Sequence, residues 1–205
     1  MTKLFSISFL FFLLSCSDRN SRHTLLPPDK KDINEIIEAI ISRDSLSFNK
    51  KSAEGSNSIP LLINLRKIRV ILTDTTSEVP PPIDHKTVSI FELFNSLVDS
   101  QRFFNRVDSS YFFFQNDTVK DFTIDKTIVE KLSVDTTLTG QHKINDSNKS
   151  SSYYDLTIPI FSADNMKAYI ELTTNCSGCG GATSYYLQKI DSKWKVVGWQ
   201  NRWRN

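Results

Sequence analysis

Apolar residues recur along this chain with two periods, and each period predicts its own elements. Between Asp32 and Arg43, Ile33, Ile36, Ile37, Ile40 and Ile41 fall at i, i+3, i+4, i+7 and i+8, one stripe of an α-helix. Asp32 and Glu35 stand at capping-box spacing at its start. A helix this short is marginal in water, so the stripe has to dock, most simply on the face of a sheet. A second helix is predicted from Ser89 to Asp99, with Ser89 and Glu92 as its capping box and Ile90, Leu93, Phe94, Leu97 and Val98 as its buried stripe.

Period two governs much of the rest. Ile68, Val70 and Leu72 alternate with Lys67, Arg69 and Thr73, a strand. The run Leu61–Leu65 is open between a helical turn and a strand. Tyr111 to Gln115 reads as a strand buried on both faces or lying under a loop, its phenylalanines serving as core filler. Val119 to Asp125 is a short strand, Thr127 to Leu132 a helical turn, and Val134, Thr136 and Leu138 alternate as another strand. Polar stretches over Ser45–Ser58 and Gly140–Ser152 are loops, and Pro80-Pro81-Pro82 makes the connector between Asp74 and Lys86 an extended rod.

The carboxy-terminal quarter is the best patterned. Tyr154–Phe161, Lys167–Thr174, Thr183–Ile190 and Trp194–Gln200 read as a four-stranded antiparallel meander, with turns at Ser162–Asn165 and Asp191–Lys193. Pro159 forfeits a ladder hydrogen bond and implies an edge or a bulge. The predicted fold is α+β, with N-terminal helices packed on an antiparallel sheet that ends in the C-terminal meander, as a single domain over residues 32–205.

The amino end carries an address. Lys3 is followed by an apolar run from Leu4 to Leu14 and then Ser15-Cys16. That run is too short to span a bilayer, which takes ~20 apolar residues. Leu13-Leu14-Ser15-Cys16 resembles a bacterial lipobox, which implies a signal peptide over residues 1–15, lipidation of Cys16 and a polar tether over residues 16–31. Acyl chains contribute ~0.8 kcal/mol per buried methylene and would hold the chain to a membrane. The expected location is the bacterial cell envelope, at the outer membrane, with the face left open between periplasm and surface.

Composition narrows the partners. The formal net charge of the 205 residues is +2, with both signs interspersed, so there is no basic footprint for nucleic acid. Of the 3 cysteines, Cys16 goes to lipid and leaves Cys176 and Cys179 as the one possible pair, expected to be a disulfide in an oxidising envelope. Cys176-Ser177-Gly178-Cys179 also has the spacing of a thioredoxin-like redox centre or half of a metal site. The residues after it, Gly180 to Tyr186, are turn and strand formers, so the helix amino terminus that would activate a thiolate is missing. A metal site would need further ligands, and His23, His85 and His142 sit in loops or the tether without finger spacing. No phosphate loop, nucleophile elbow or His-Glu-x-x-His run is present. Asp155 and Asp164 can be named as carboxylates, with nothing in the sequence to bring them together. No cofactor, metal site or catalytic residue is expected.

The order of Asp164-Asn165, Lys167 to Ile170, Cys176 to Gly181, Tyr185-Tyr186-Leu187 and Asp191-x-Lys193-Trp194-Lys195-Val196-Val197 resembles the carboxy end of a widespread group of uncharacterised bacterial (Bacteroidetes-like) lipoproteins. They have a Cys-(x)n-Cys-Gly loop, a strand and a Gly-x-Trp ending. The group implies no activity. The Trp-Lys-Val-Val ending also resembles the last strands of cone-shaped proteins similar to nuclear transport factor 2. The expected function is therefore a non-catalytic binding or accessory lipoprotein, with an unidentified protein, peptide or glycan as ligand. The alternative is an envelope thiol-disulfide oxidoreductase using Cys176 and Cys179. Trp194, Trp199, Arg202, Trp203 and Arg204 form an aromatic, cationic end, in which the tryptophans are expected to finish the core and the arginines to stay in water.

Overall fold

A computed structural model describes residues 25–44, 59–72, 86–131, 136–137, 152–176 and 179–204. In chain order, α1 (Lys30–Arg43) is followed by β1 (Leu61–Leu62), β2 (Asn64–Leu65) and β3 (Arg69–Ile71). Next, β4 (Thr87–Ser89) runs into α2 (Ile90–Asn95), and β5 (Leu97–Val98) and β6 (Gln101–Arg102) make a small hairpin. A 3-10 turn (Arg106–Asp108) leads into α3 (Ser109–Thr118), then β7 (Phe122–Thr123), α4 (Lys126–Lys131) and β8 (Thr136–Thr137). The chain closes with β9 (Tyr153–Leu156), β10 (Ile160–Phe161), β11 (Lys167–Cys176), β12 (Cys179–Ile190) and β13 (Lys193–Arg204).

The main sheet has the order β13-β12-β11-β9-β1-β8, with β10 also on β11. Its carboxy-terminal part is antiparallel, whereas β1 runs parallel to both β8 and β9. The predicted first meander strand is split in two. From Leu156, opposite Leu172, to Ile160, opposite Tyr169, the chain advances one more residue than its partner. The bulge falls at Pro159, as the missing amide demands.

Because neighbouring residues of β11 point to opposite faces, the sheet builds two cores. Ala168, Ile170 and Leu172 meet Tyr185, Leu187, Trp194 and the five isoleucines of α1 on one face. Tyr169 joins Tyr186, Ile160, Val88, Ile90, Leu93, Phe103, Phe104 and Phe112 on the other. Each isoleucine of α1 is at most 3% exposed, and full burial of such a side chain is worth ~1.5–3 kcal/mol. Docking, more than propensity, therefore holds this helix. The second core is aromatic, with Phe104 edge-on to Phe112 at 5.1 Å and Phe103 edge-on to Tyr186 at 5.2 Å between ring centroids.

The α+β class and the terminal meander match the sequence, and three local expectations do not. Tyr111–Gln115 is helical, part of α3. Its two amides explain why: Gln115 exchanges hydrogen bonds with the backbone of Phe161 at 3.0 and 3.0 Å, and Asn116 with that of Val70 at 2.9 and 2.8 Å. A helix that closes two strand edges this way overrides the strand propensity of its phenylalanines. The second helix stops at Asn95, four residues early, and Leu97 is exposed. Asp99 and Ser100 then adopt positive φ and turn the β5–β6 hairpin. Finally, α1 begins at Lys30 with Asp29 as its cap, its carboxylate accepting from the Lys31 amide at 3.0 Å. The two residues before Asp32 thus belong to the helix.

Candidate functional site

The end of the β11–β12–β13 ribbon carries a buried charged cluster and an open groove. On the face of Tyr169 and Glu171, Arg202 is the extra residue of a bulge, since Ala182 pairs with Trp203 and Thr183 with Asn201. A bulge re-aims a side chain, and here it delivers a guanidinium among carboxylates. Arg202 Nη1 pairs with Glu171 and donates to the Tyr169 hydroxyl at 3.3 Å, while Nη2 donates to Glu92 Oε2 at 2.9 Å. The Tyr169 hydroxyl donates to Glu171 Oε1 at 2.6 Å.

A second arginine reaches the same carboxylate. The backbone of Arg66 is tied to the Pro159 bulge, donating to Leu156 O at 2.9 Å and accepting from the Ile158 amide at 2.8 Å. From there Arg66 Nε meets Asp155 Oδ2 at 2.8 Å, and its Nη2 donates to Thr173 Oγ1 at 3.3 Å and lies 3.8 Å from Glu171 Oε2. Glu171, 3% exposed at its side chain, is held between two guanidiniums.

Electrostatics follow from burial. Desolvation raises the carboxyls of Glu92 and Asp155, Arg202 and Arg66 oppose that rise, and the neighbouring charge of Glu171 adds to it. Burial pushes the Tyr186 hydroxyl up to about 12 and that of Tyr169 well above its ordinary value. Burial disfavours the charge on Arg202, but Tyr169, Glu171 and Glu92 together hold it more firmly protonated. Among the described residues three carboxyls face two guanidiniums, and Asp155 Oδ1 is buried without a hydrogen-bond partner. This cluster ties β2, β9, β11, β13 and α2 together.

The free end of the ribbon also holds an open groove of about 290 Å³, lined by Thr174, Cys176, Gly180, Gly181, Ala182, Thr183, Asn201 and Trp203. None of the five charged residues of the cluster lines it. At Gly180 a Cβ would lie 3.3 Å from both Thr174 O and the Trp203 ring, so a side chain there would have to displace one of them by a few tenths of an ångström. Cys176 is disulfide-bonded, and Cys179 stands opposite it in the ladder. Nearer the core, the Arg43 guanidinium at the end of α1 lies 5.5 Å from the Tyr185 ring and 5.6 Å from the Trp199 ring. The Tyr185 hydroxyl donates to Asp44, and burial with that carboxylate raises its pKa.

Cys16, His23, His85 and His142 lie outside the described residues. Asp164 accepts from Ser162 and from the Met166 amide within its turn, while Asp155 faces Arg66. The aromatic end divides differently from expectation. Trp194 is buried, Trp199 is 55% exposed, and Arg202 is withdrawn from water into the cluster. The alternation along Lys167–Thr174 puts Tyr169, Glu171 and Thr173 on one strand face, and in the fold this face is covered. The available signal was the second amphipathic helix, which also needs a sheet face to dock on. Among the described residues no group of three His, Cys, Asp or Glu side chains could hold a metal ion, and no helix is long and apolar enough to cross a membrane. No family model, curated protein or solved structure matches the chain.

Proposed function

We propose that this chain is a non-catalytic binding module, held in the bacterial envelope by an acylated Cys16, whose ligand surface is the free end of the β11–β13 ribbon. One observation supports this reading above others: at the free end of the ribbon Glu171 and Arg202 are paired with each other inside the cluster, and the described residues that line the open groove are uncharged. General acid–base chemistry needs a titratable group within reach of the substrate, and the described residues lining the groove offer none. Acyl labelling tests the anchor. The native chain is expected in the membrane fraction with label, and a Cys16→Ala chain that is still labelled and membrane-bound would sink it.

A second reading, thiol-disulfide exchange, is favoured by the disulfide-bonded Cys176 in the groove wall. Against it stands the local structure, since the residues after the pair form strand β12 and offer no helix amino terminus to stabilise a thiolate. The reduction potential decides: a value below ~−300 mV marks a structural bond, and a clearly higher one a labile or catalytic bond.

A further inference from the structure

We infer that the groove at the free end of the ribbon is a subsite for an uncharged, hydroxyl-rich ligand, a neutral mono- or disaccharide unit of a glycan. The inference deepens the binding-module reading and rests on it.

Among the described lining residues, Thr174, Thr183 and Asn201 present two hydroxyls and a carboxamide. Together they offer donors and acceptors without charge. The threonines are partly exposed and Asn201 is exposed, and no hydrogen bond to another described residue engages these side chains. The described lining residues offer an ionic ligand no counter-charge to replace the water it would lose. An apolar ligand would cover these groups and leave them unsatisfied. A ligand that is itself a set of hydroxyls satisfies both conditions.

Two further features fit a sugar. Trp199 stands two residues from Asn201 on the same side of β13, and Arg43 against its ring fixes its orientation while leaving the side chain 55% exposed. A fixed indole beside polar groups is a platform for the C–H face of a pyranose, and its order costs little on binding. The volume, about 290 Å³, lies at the small end of ligand pockets, which start near ~300 Å³.

The test is titration calorimetry on the full-length chain in a polyoxyethylene detergent, which carries no sugar. The probes are maltotetraose, cellotetraose, laminaritetraose, mannotetraose and chitotetraose, with tetragalacturonate as the anionic comparator and tetra-alanine as the peptide comparator. At least one neutral tetrasaccharide is expected to bind saturably. Thr183→Val and Asn201→Ala, both at partly or fully exposed strand positions, should each weaken it roughly three- to tenfold, and Trp199→Ala should abolish it while Trp199→Phe retains it. Circular dichroism on each variant separates lost binding from lost folding. The inference is overturned if no neutral probe binds, if tetragalacturonate or tetra-alanine binds in preference, or if binding survives all three variants. Failure on these probes without dithiol turnover by Cys176 leaves the broader binding reading standing, whereas such turnover would remove that reading whatever the saccharides do.

Discussion

Arg202 on β13 donates to the Glu92 carboxylate on α2 at 2.9 Å, across 110 positions of sequence, while its other terminal nitrogen pairs with buried Glu171. One side chain therefore pins the α2 layer to the outer strand of the sheet. Among the described residues, removing it would leave Glu171 with Arg66 as its cation, at 3.8 Å. Breaking a buried pair from one side typically costs ~3–5 kcal/mol, because a charge is left buried and uncompensated. Arg202→Met is expected to lose that much in urea unfolding. Arg202→Met with Glu171→Leu should recover a large part of it, and a double variant no better than the single would refute the pairing.

The same cluster sets an unusual pH dependence. Glu92 and Asp155 are both raised from their ordinary values of 4.5 and 3.8 by burial. In the window between the unfolded and the raised folded value, the folded protein binds more protons than the unfolded chain. Stability from these two groups is therefore fully present below the unfolded values and is lost as pH rises through the folded ones. Denaturant midpoints followed from neutral pH down into that window should rise in the native chain. In Glu92→Gln, which cannot titrate but keeps an acceptor for Arg202, the rise should shrink. A native midpoint that falls across the window contradicts the assignment.

Gly198 supplies a packing test. A Cβ there would lie 3.0 Å from Val98 Cγ2 and 3.4 Å from Cγ1, on the hairpin whose turn is held by positive φ at Asp99 and Ser100. Overpacking of this kind costs ~1–3 kcal/mol. Gly198→Ala should be destabilised within that range. Adding Val98→Ala should give back part of the loss, since it removes the methyl groups in the way. Thermal melts of the two single variants and the double variant read the coupling directly.

The parts of this fold legible in the sequence were those set by local period. The isoleucine stripe of α1, the alternation of β11 and the Pro159 bulge each follow from residues within a few positions of one another. What escaped depends on contacts far along the chain. Phe112, Phe113 and Phe114 have a strand's propensity, and the amides that make their segment a helix act on Phe161 and Val70. Glu92 was at capping-box spacing from Ser89, yet its carboxylate faces Arg202. Arg202 looked like a solvent-exposed cation because a bulge that moves one side chain leaves no mark in composition. In the groove, the cysteines and glycines were visible, but their juxtaposition with Asn201 required the β12–β13 register.

Asp32 and Asp29 separate two accounts of the same helix end. By spacing alone Asp32 is a cap. In the fold it instead accepts from Lys189 Nζ at 2.6 Å and Trp194 Nε1 at 3.0 Å, while Asp29 caps the Lys31 amide. Asp29→Ala should thus cost ~1 kcal/mol, the ordinary value of a cap. Asp32→Ala should cost more, ~1–3 kcal/mol, because it leaves the indole N–H of a buried tryptophan without its partner. Asp32→Asn keeps an acceptor for that N–H and loses the ion pair with partly exposed Lys189, for which ~1 kcal/mol is the upper range. The expected order of loss is Asp32→Ala first, with Asp32→Asn and Asp29→Ala behind it. A true cap at Asp32 would tolerate asparagine without loss, and Asp29→Ala would then be silent. Chemical denaturation of the three variants at neutral pH distinguishes the two accounts.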